Sequence, residues 1–557
     1  MMEKSRFLAK VAKDAAFTRH ANAAVPARAA VPAGVEPYGG PWNRTQAIHL
    51  LRRTLFGFTK ADLDKAMSLD AAATVDALLD VPAEAPAPPL VVSTTETTIP
   101  VGTTWVDTPY IGDRNYERGR TLQSWWMGLI LGQGFSLRER MTLFWHNHFA
   151  TEWQVIGDSH HSYYHLARLR TACLGNFKNL ARQVTLDPAM LRYLNGNSNT
   201  KTNPNENYGR ELQELFTIGK GPEVAPGNYT NYTEEDVKSA ARVLTGWRDL
   251  RDKREPEFRP TQHDTESKTF SSAYGGAVIA GRAGADGALE VDDLLEIIFK
   301  QSETAKYLCR KLYRFFVYYV IDADTEKDVI VPMADLLMKG DWEVKPVVAL
   351  LLKSAHFHHA LNQGCFIKTP LDLVAGTFRS LGVTLPDAAD PVKQYAVWRH
   401  LQDQAATMQM EILAPPNVAG WPAYYQDPFY YQSWISSDTL PRRIQFTDRC
   451  TPSKGYQAGS HYLPCDVIAV AKRASDPADL QKFVEDMAEI FFPIALTARQ
   501  KEYLKSILLD GAPSYEWGDE WQAHIDAPDD AAKKAVVDVR LRALFKAMMA
   551  MAEYHLC

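Results

Sequence analysis

A chain of 557 residues exceeds what one ordinary core holds, so two to four packed subregions are expected. Hydrophobic residues at 46% and charged residues at 23% give the balance of a soluble globular protein, and no run of 18 apolar residues exists that would span a membrane. A net charge of −6 argues against a general nucleic-acid binder.

Residues 1–40 are rich in Ala, Pro and charge and read as a mobile N-terminal arm. They carry no apolar h-region and no twin arginine, which favours the cytoplasm, with a periplasmic or exported protein as the alternative. Helices are expected at 44–57 and 59–80, the second opened by the pair Thr59 and Asp62. A Pro- and Thr-rich connector with strand-like pieces follows at 81–105, then helices from 115 to 195. The segment 249–287 turns to Gly, polar turns and short β-prone runs, which predicts a small hairpin or a long ordered loop. Helices resume at 288–357 and 368–382, an aromatic loop occupies 414–437, and the tail 466–557 is helical with an irregular stretch near 511–529. The sum is a mainly α protein, with fewer than about one residue in eight in strands, those mainly at 81–110 and 249–287. A helical domain over 41–450 with an extension over 451–557 packed on it is the expected organisation.

Chemistry concentrates in a few stretches. In "PNENYGRELQELFTIG" (204–219), Asn203 reads as a cap before Pro204, and Glu206 reaches back to it at the third position. A helical wheel gathers Tyr208, Leu212, Leu215 and Phe216 on one face and Asn207, Glu211 and Glu214 on another. Glu211 borders the apolar face, and a carboxylate there needs a partner. "WHNHF" (145–149) offers His148 either as a core histidine or as a metal ligand. His161 and His165 stand at i,i+4, a spacing that clasps a metal or lines an interhelical polar face. His263 and Asp264 lie in the insert, where they suit a metal or ordinary turn chemistry. The loop holding Asn417, Trp421, Tyr424, Tyr425 and Trp434 either stacks on sugar rings or plugs a core. No phosphate-binding loop, dinucleotide fingerprint or nucleophile elbow is present. Of six cysteines none forms a C-x-x-C pair, and Cys450 and Cys465 bracket a loop that a disulfide would close in an oxidising compartment.

Taken in order, "LLRRTLFGFT" (50–59), "LFWHNHFAT" (143–151), the 187–219 segment, "YTEEDVKSAARVLTGW" (232–247), "HD" (263–264), "LCRKLYRFFV" (308–317), "KTPLDLV" (368–374) and "PPNVAGWP" (415–422) resemble the bacterial family catalogued as domain of unknown function 1800. The resemblance spans roughly 45–450 and carries no established activity. Members of that family are often exported and often encoded beside a family resembling alkaline phosphatases and sulfatases, which the resemblance makes a candidate partner.

The scattered polar motifs suggest one convergent site. Its expected parts are His148, Glu211, Glu214 and His263 as ligands of one divalent metal ion (zinc, manganese or iron), and Glu211 and Arg210 as catalytic groups. Asn207, Asp264, Asn417 and Trp421 would bind substrate. The expected function is a metal-assisted hydrolase or lyase acting on a polysaccharide or other extracellular polymer, with a metal-free pair of carboxylates as a sub-case. The alternative is a non-catalytic protein that binds glycan or a partner and holds a buried structural polar network.

Overall fold

The computed structural model describes Val31 and residues 34–557 apart from Asp252. Most of the expected N-terminal arm therefore lies outside the described residues. Its last part is docked: Tyr38 donates its N–H to the Lys353 carbonyl at 2.8 Å, and Ala355 donates to the Glu36 carbonyl at 2.8 Å.

The protein is mainly helical, and among the described residues the strands form only two-stranded ribbons. Residues 33–557 make one compact unit around a continuous hydrophobic core that runs from Ala47 to Tyr554. Apolar spacing sets each helix's inner face. The helix Ala531–Ala550 buries Val537, Leu541, Leu544, Phe545, Met548 and Met549, recurring every three or four residues, against Ala498–Leu509 and Thr439–Asp448. Full burial of each such side chain contributes about 1.5–3 kcal/mol. Among the described residues capping boxes open four helices, at Thr59/Asp62 as expected and also at Thr233/Asp236, Thr369/Asp372 and Thr497/Gln500.

Helix ends explain one family motif. Leaving a helix, the last carbonyls lack donors, and here buried arginines supply them. Arg52 donates to Ile490 and Phe492 at 2.7 Å each, Arg53 to Phe315 and Phe316 at 3.0 Å each, and Arg140 to Leu55 at 2.5 Å. Arg379 donates to Leu131 and Gln133 at 3.0 and 2.8 Å. Each guanidinium thus joins two distant parts of the chain. "LLRRT" is a fastening sequence.

Strands depart from expectation in place. Two ribbons fall on the insert, Trp247–Arg248 with Glu257–Phe258 and Lys268–Thr269 with Val278–Ile279. The connector 81–105 holds only an isolated bridge between Leu90 and Thr104, while ribbons at 223–229 and 456–463 were not anticipated. The stretch expected to be irregular near 511–529 contains the helix Glu516–Asp526, whose Trp517 and Trp521 are buried. Cys450 and Cys465 are free thiols, and the chain between them is closed by the ribbon Tyr456–Ala458/His461–Leu463. Among the described residues no helix is long and apolar enough to cross a membrane.

Candidate functional site

The segment 204–219 opens differently from its sequence reading. Asn203 is engaged in a turn with Thr200, so Pro204 stays outside the helix, and Asn205 is the cap, accepting from the Asn207 N–H at 3.0 Å. Glu206 does not cap. It takes an ion pair from Arg210 at 3.3 Å, and Arg210 grips Glu234 at 2.5 and 2.7 Å. The expected catalytic arginine is therefore fully occupied in tying this helix to Glu234–Val243. The two helices cross closely at Gly209, where a Cβ would stand 3.1 Å from the Ala241 nitrogen.

Glu206–Glu211 is α-helical, but Leu212–Phe216 widens into a π-turn. The extra residue per turn rotates the wheel: Gln213 is fully buried, and Leu215 is only half-buried. Widening also frees carbonyls, which other segments satisfy. Leu215 accepts from the Tyr307 hydroxyl at 3.1 Å and the Lys311 ammonium at 2.9 Å, and Phe216 accepts from His148 Nε2 at 2.9 Å. Burial, and then the nearby Arg314 charge, push the Lys311 amine down to about 7.

Glu211 sits at the entrance to this turn. It is half-buried and makes no hydrogen bond or ion pair with any described residue. Burial, reinforced by the Glu214 carboxylate and only partly offset by Arg210 and Lys220, pushes its carboxyl up to about 7. Glu214 is the contrast, held by Lys220 at 2.6 Å and by the Tyr232 hydroxyl at 3.0 Å. Burial and the charges of Glu152 and Glu211 push Tyr193 up to about 12, so both carboxylates act on that phenol. The Glu152 carboxylate is likewise half-buried and without a partner among the described residues. The titratable groups that influence one another here are thus Glu211 and Glu152 on Tyr193, Glu211 and Glu214 on Tyr307, and Glu214 on Tyr232.

The other expected site residues are elsewhere engaged. His148 is 2% exposed, ringed by Phe144, Trp145, Phe149, Phe177 and Phe216, and burial drives its pKa well below the usual value. His263 Nε2 faces Glu290 at 3.2 Å, while its Nδ1 faces the Thr245 carbonyl at 3.0 Å. Burial alone would raise the Asp264 pKa, but hydrogen bonds from Arg242 at 2.7 and 3.2 Å hold it low. Asn207 donates to the Leu194 carbonyl at 3.2 Å. His165 bonds Asp187 at 3.1 Å, the interhelical role, and His161 meets the Leu250 and Lys253 carbonyls.

Asn417 donates to the Tyr425 hydroxyl at 2.9 Å and shapes its own loop. Trp421 is 1% exposed and packs edge-on to His146, so it fills the core and offers no sugar platform. Asn147, between the two histidines of "HNH", joins that motif to this loop: its Oδ1 accepts from the Trp421 N–H at 2.9 Å. Gly420, at φ +92°, permits the approach, since a Cβ would meet Asn147 Oδ1 at 2.3 Å.

The convergent four-ligand set is not assembled. Among the described residues no three His, Cys, Asp or Glu side chains form a group that could hold a metal ion. The physical reason is that His148 spends Nε2 on the Phe216 carbonyl and buries Nδ1 among aromatic rings, while His263 faces Glu290 and the Thr245 carbonyl in separate surroundings, which leaves Glu211 and Glu214 on one segment. Sequence reasoning found Glu211 from its place on the wheel. It passed over Glu152, Tyr193, Tyr232, Tyr307 and Lys311, since single polar residues in helices and turns carry no pattern of their own.

No curated protein and no solved structure matches this chain. The family described as protein of unknown function (DUF1800) matches residues 49–556, which takes in the tail beyond 450 as well, and the chain belongs to that family.

Proposed function

We propose that the protein is a hydrolase or lyase that acts on a polysaccharide or other extracellular polymer through proton transfer at Glu211. One observation carries this reading: a half-buried carboxyl, unpaired and poised near pH 7, at a widened helical turn. Structural carboxylates in this protein are matched by donors, as Glu214, Asp264 and Glu290 are. A carboxyl poised near neutrality serves either direction of proton transfer. In a hydrolase it gives its proton to the departing glycosidic oxygen, and in a lyase its anion removes an acidic C–H proton. Glu152 is the second unpaired carboxylate available to a paired mechanism. Since the expected metal donors are not brought together, no step is assigned to a metal.

The second reading, a non-catalytic glycan- or partner-binding protein, is favoured by a different observation. Arg210, His148, His263, Asp264, Asn417 and Trp421 all have structural partners, as a network that fixes packing requires.

The deciding experiment is Glu211→Gln assayed over a panel of acidic and neutral polysaccharides between pH 5 and 9. Loss of turnover by about 10²–10⁴-fold with the fold retained is the expected result. Intact turnover with lowered stability would leave the second reading standing.

A further inference from the structure

A separate cavity of about 460 Å³ lies between residues 106–109, the start of the helix Ser159–Thr171 and the tip of the ribbon Trp247–Phe258. Its floor is built from buried histidines. His160, 6% exposed, places Nε2 at 3.1 Å from the Trp105 carbonyl. His161, 2% exposed, places Nε2 at 3.3 and 3.2 Å from the Leu250 and Lys253 carbonyls and so pins the ribbon's tip. Neither Nδ1 has a hydrogen-bond partner; each faces Asp158, at 3.6 and 3.9 Å. The ribbon's base is fixed in turn by Asp249, which accepts from Arg192 and Asn197 at 2.6 Å each.

The pinned tip presents three cations to the cavity, Arg251, Lys253 and Arg254. Arg254 is ion-paired with Asp107 and lies over the Tyr164 ring at 4.8 Å. Arg251 lies over the Tyr110 ring at 4.4 Å and reaches only the Gly157 carbonyl, at 3.4 Å. Lys253 has no side-chain partner among the described residues. Among the described residues, two of the three positive charges thus face the cavity without a carboxylate, and Asp107 is the only acidic side chain in its lining. Thr108 and Tyr164 add hydroxyl groups to the wall.

We propose that this cavity binds an acidic saccharide, a sugar unit carrying a carboxylate or sulfate, with Arg251 and Lys253 receiving the charge and Thr108 and Tyr164 the hydroxyls. The volume falls in the range of roughly 300–1,000 Å³ typical of ligand cavities, well beyond the need of a lone inorganic anion. Cations on a wall of hydroxyls suit a charged polyol, and the chain's net charge of −6 works against nucleic acid. The site is independent of Glu211: its occupancy does not require that Glu211 be catalytic.

Calorimetric titration of the full chain with a galacturonate oligosaccharide, a neutral glucose oligosaccharide of the same length, and inorganic sulfate tests this directly. The galacturonate oligomer should bind at least about tenfold more tightly than the neutral one, with affinity falling as salt rises. The double substitution Arg251→Ser/Lys253→Ser, on exposed side chains whose one hydrogen bond among the described residues is the long contact of Arg251 to the Gly157 carbonyl, should weaken that binding about tenfold or more and change the melting temperature little. Equal affinity for the neutral oligomer, unaltered binding in the double variant, or no binding at all would overturn the proposal. Sulfate binding alone as tightly as the oligomer would overturn its saccharide part.

Discussion

At the scale of single residues, Glu211 separates a functional from a structural reading through pH. Its folded-state pKa of about 7 lies above that of an unfolded glutamate, about 4.3. Between those values the folded protein keeps a proton that the unfolded chain has lost, so stability falls as pH rises through that window and stays lower above it. Glu211→Gln removes the dependence. The variant should match the wild type near pH 4 and exceed it by about 1–2 kcal/mol at pH 8, after allowance for solvent screening at a half-buried site. Chemical denaturation at the two pH values measures the difference. A variant less stable than the wild type at pH 8 would mark Glu211 as a structural group with a partner. The residue was legible in sequence because a charged side chain beside an apolar face is a contradiction that needs a cause. His148 was legible only as an alternative, because nothing in "WHNHF" says that the nearest acceptor is a carbonyl released by a π-turn 68 residues away.

Among elements, the π-turn Leu212–Phe216 ties three segments together, and its clamps share acceptors. Tyr307 and Lys311, one turn apart on the helix Ser302–Phe316, both donate to the Leu215 carbonyl. Either donor alone keeps that carbonyl satisfied. Tyr307→Phe should therefore cost only about 0.5–1 kcal/mol, Lys311→Met a comparable amount, and the pair more than their sum. His148→Phe leaves the buried Phe216 carbonyl without its donor and should cost about 1–3 kcal/mol by itself. Urea unfolding of the four variants gives each value, and strict additivity of the Tyr307 and Lys311 changes would dismiss the shared clamp. The helices themselves were readable from apolar period, and Thr59 with Asp62 from capping chemistry. The π-turn was not, since an inserted residue breaks the period on which the wheel relies, and it carried Gln213 inward unannounced. Two ribbons escaped for a local reason: within 223–229 and 456–463 each strand is two or three residues long, too short to show alternation.

For the whole molecule, the sequence reads residues 451–557 as an extension packed on a domain over 41–450, and fastening groups cross that boundary. Arg52, in the helix Arg44–Thr54, is 9% exposed and spends its guanidinium on carbonyls of Glu489, Ile490 and Phe492 in the tail. Thr377 and Tyr554 share a hydroxyl hydrogen bond of 2.7 Å, and Phe366 and Cys557 pair through their backbones. Arg540 and Arg542 then cap and brace the tail's own carbonyls. Removing residues 451–557 would take away the carbonyls that Arg52 bonds and open the apolar faces of Thr439–Asp448 and Pro370–Leu381 to water. Each fully buried apolar side chain returned to water costs about 1.5–3 kcal/mol, so a few of them match the whole stability of many domains. The full chain should therefore unfold in one calorimetric transition over residues 34–557, and a chain ending at 450 should be aggregation-prone or bind hydrophobic dyes, with weak near-ultraviolet circular dichroism. The tail melting as a separate, earlier transition would refute the single unit. So would a folded 1–450 fragment with sharp unfolding. Arg52→Ala gives the same question at one residue: it should lower the midpoint of the single transition without splitting it, and because the arginine is buried the loss should change little between low and high salt.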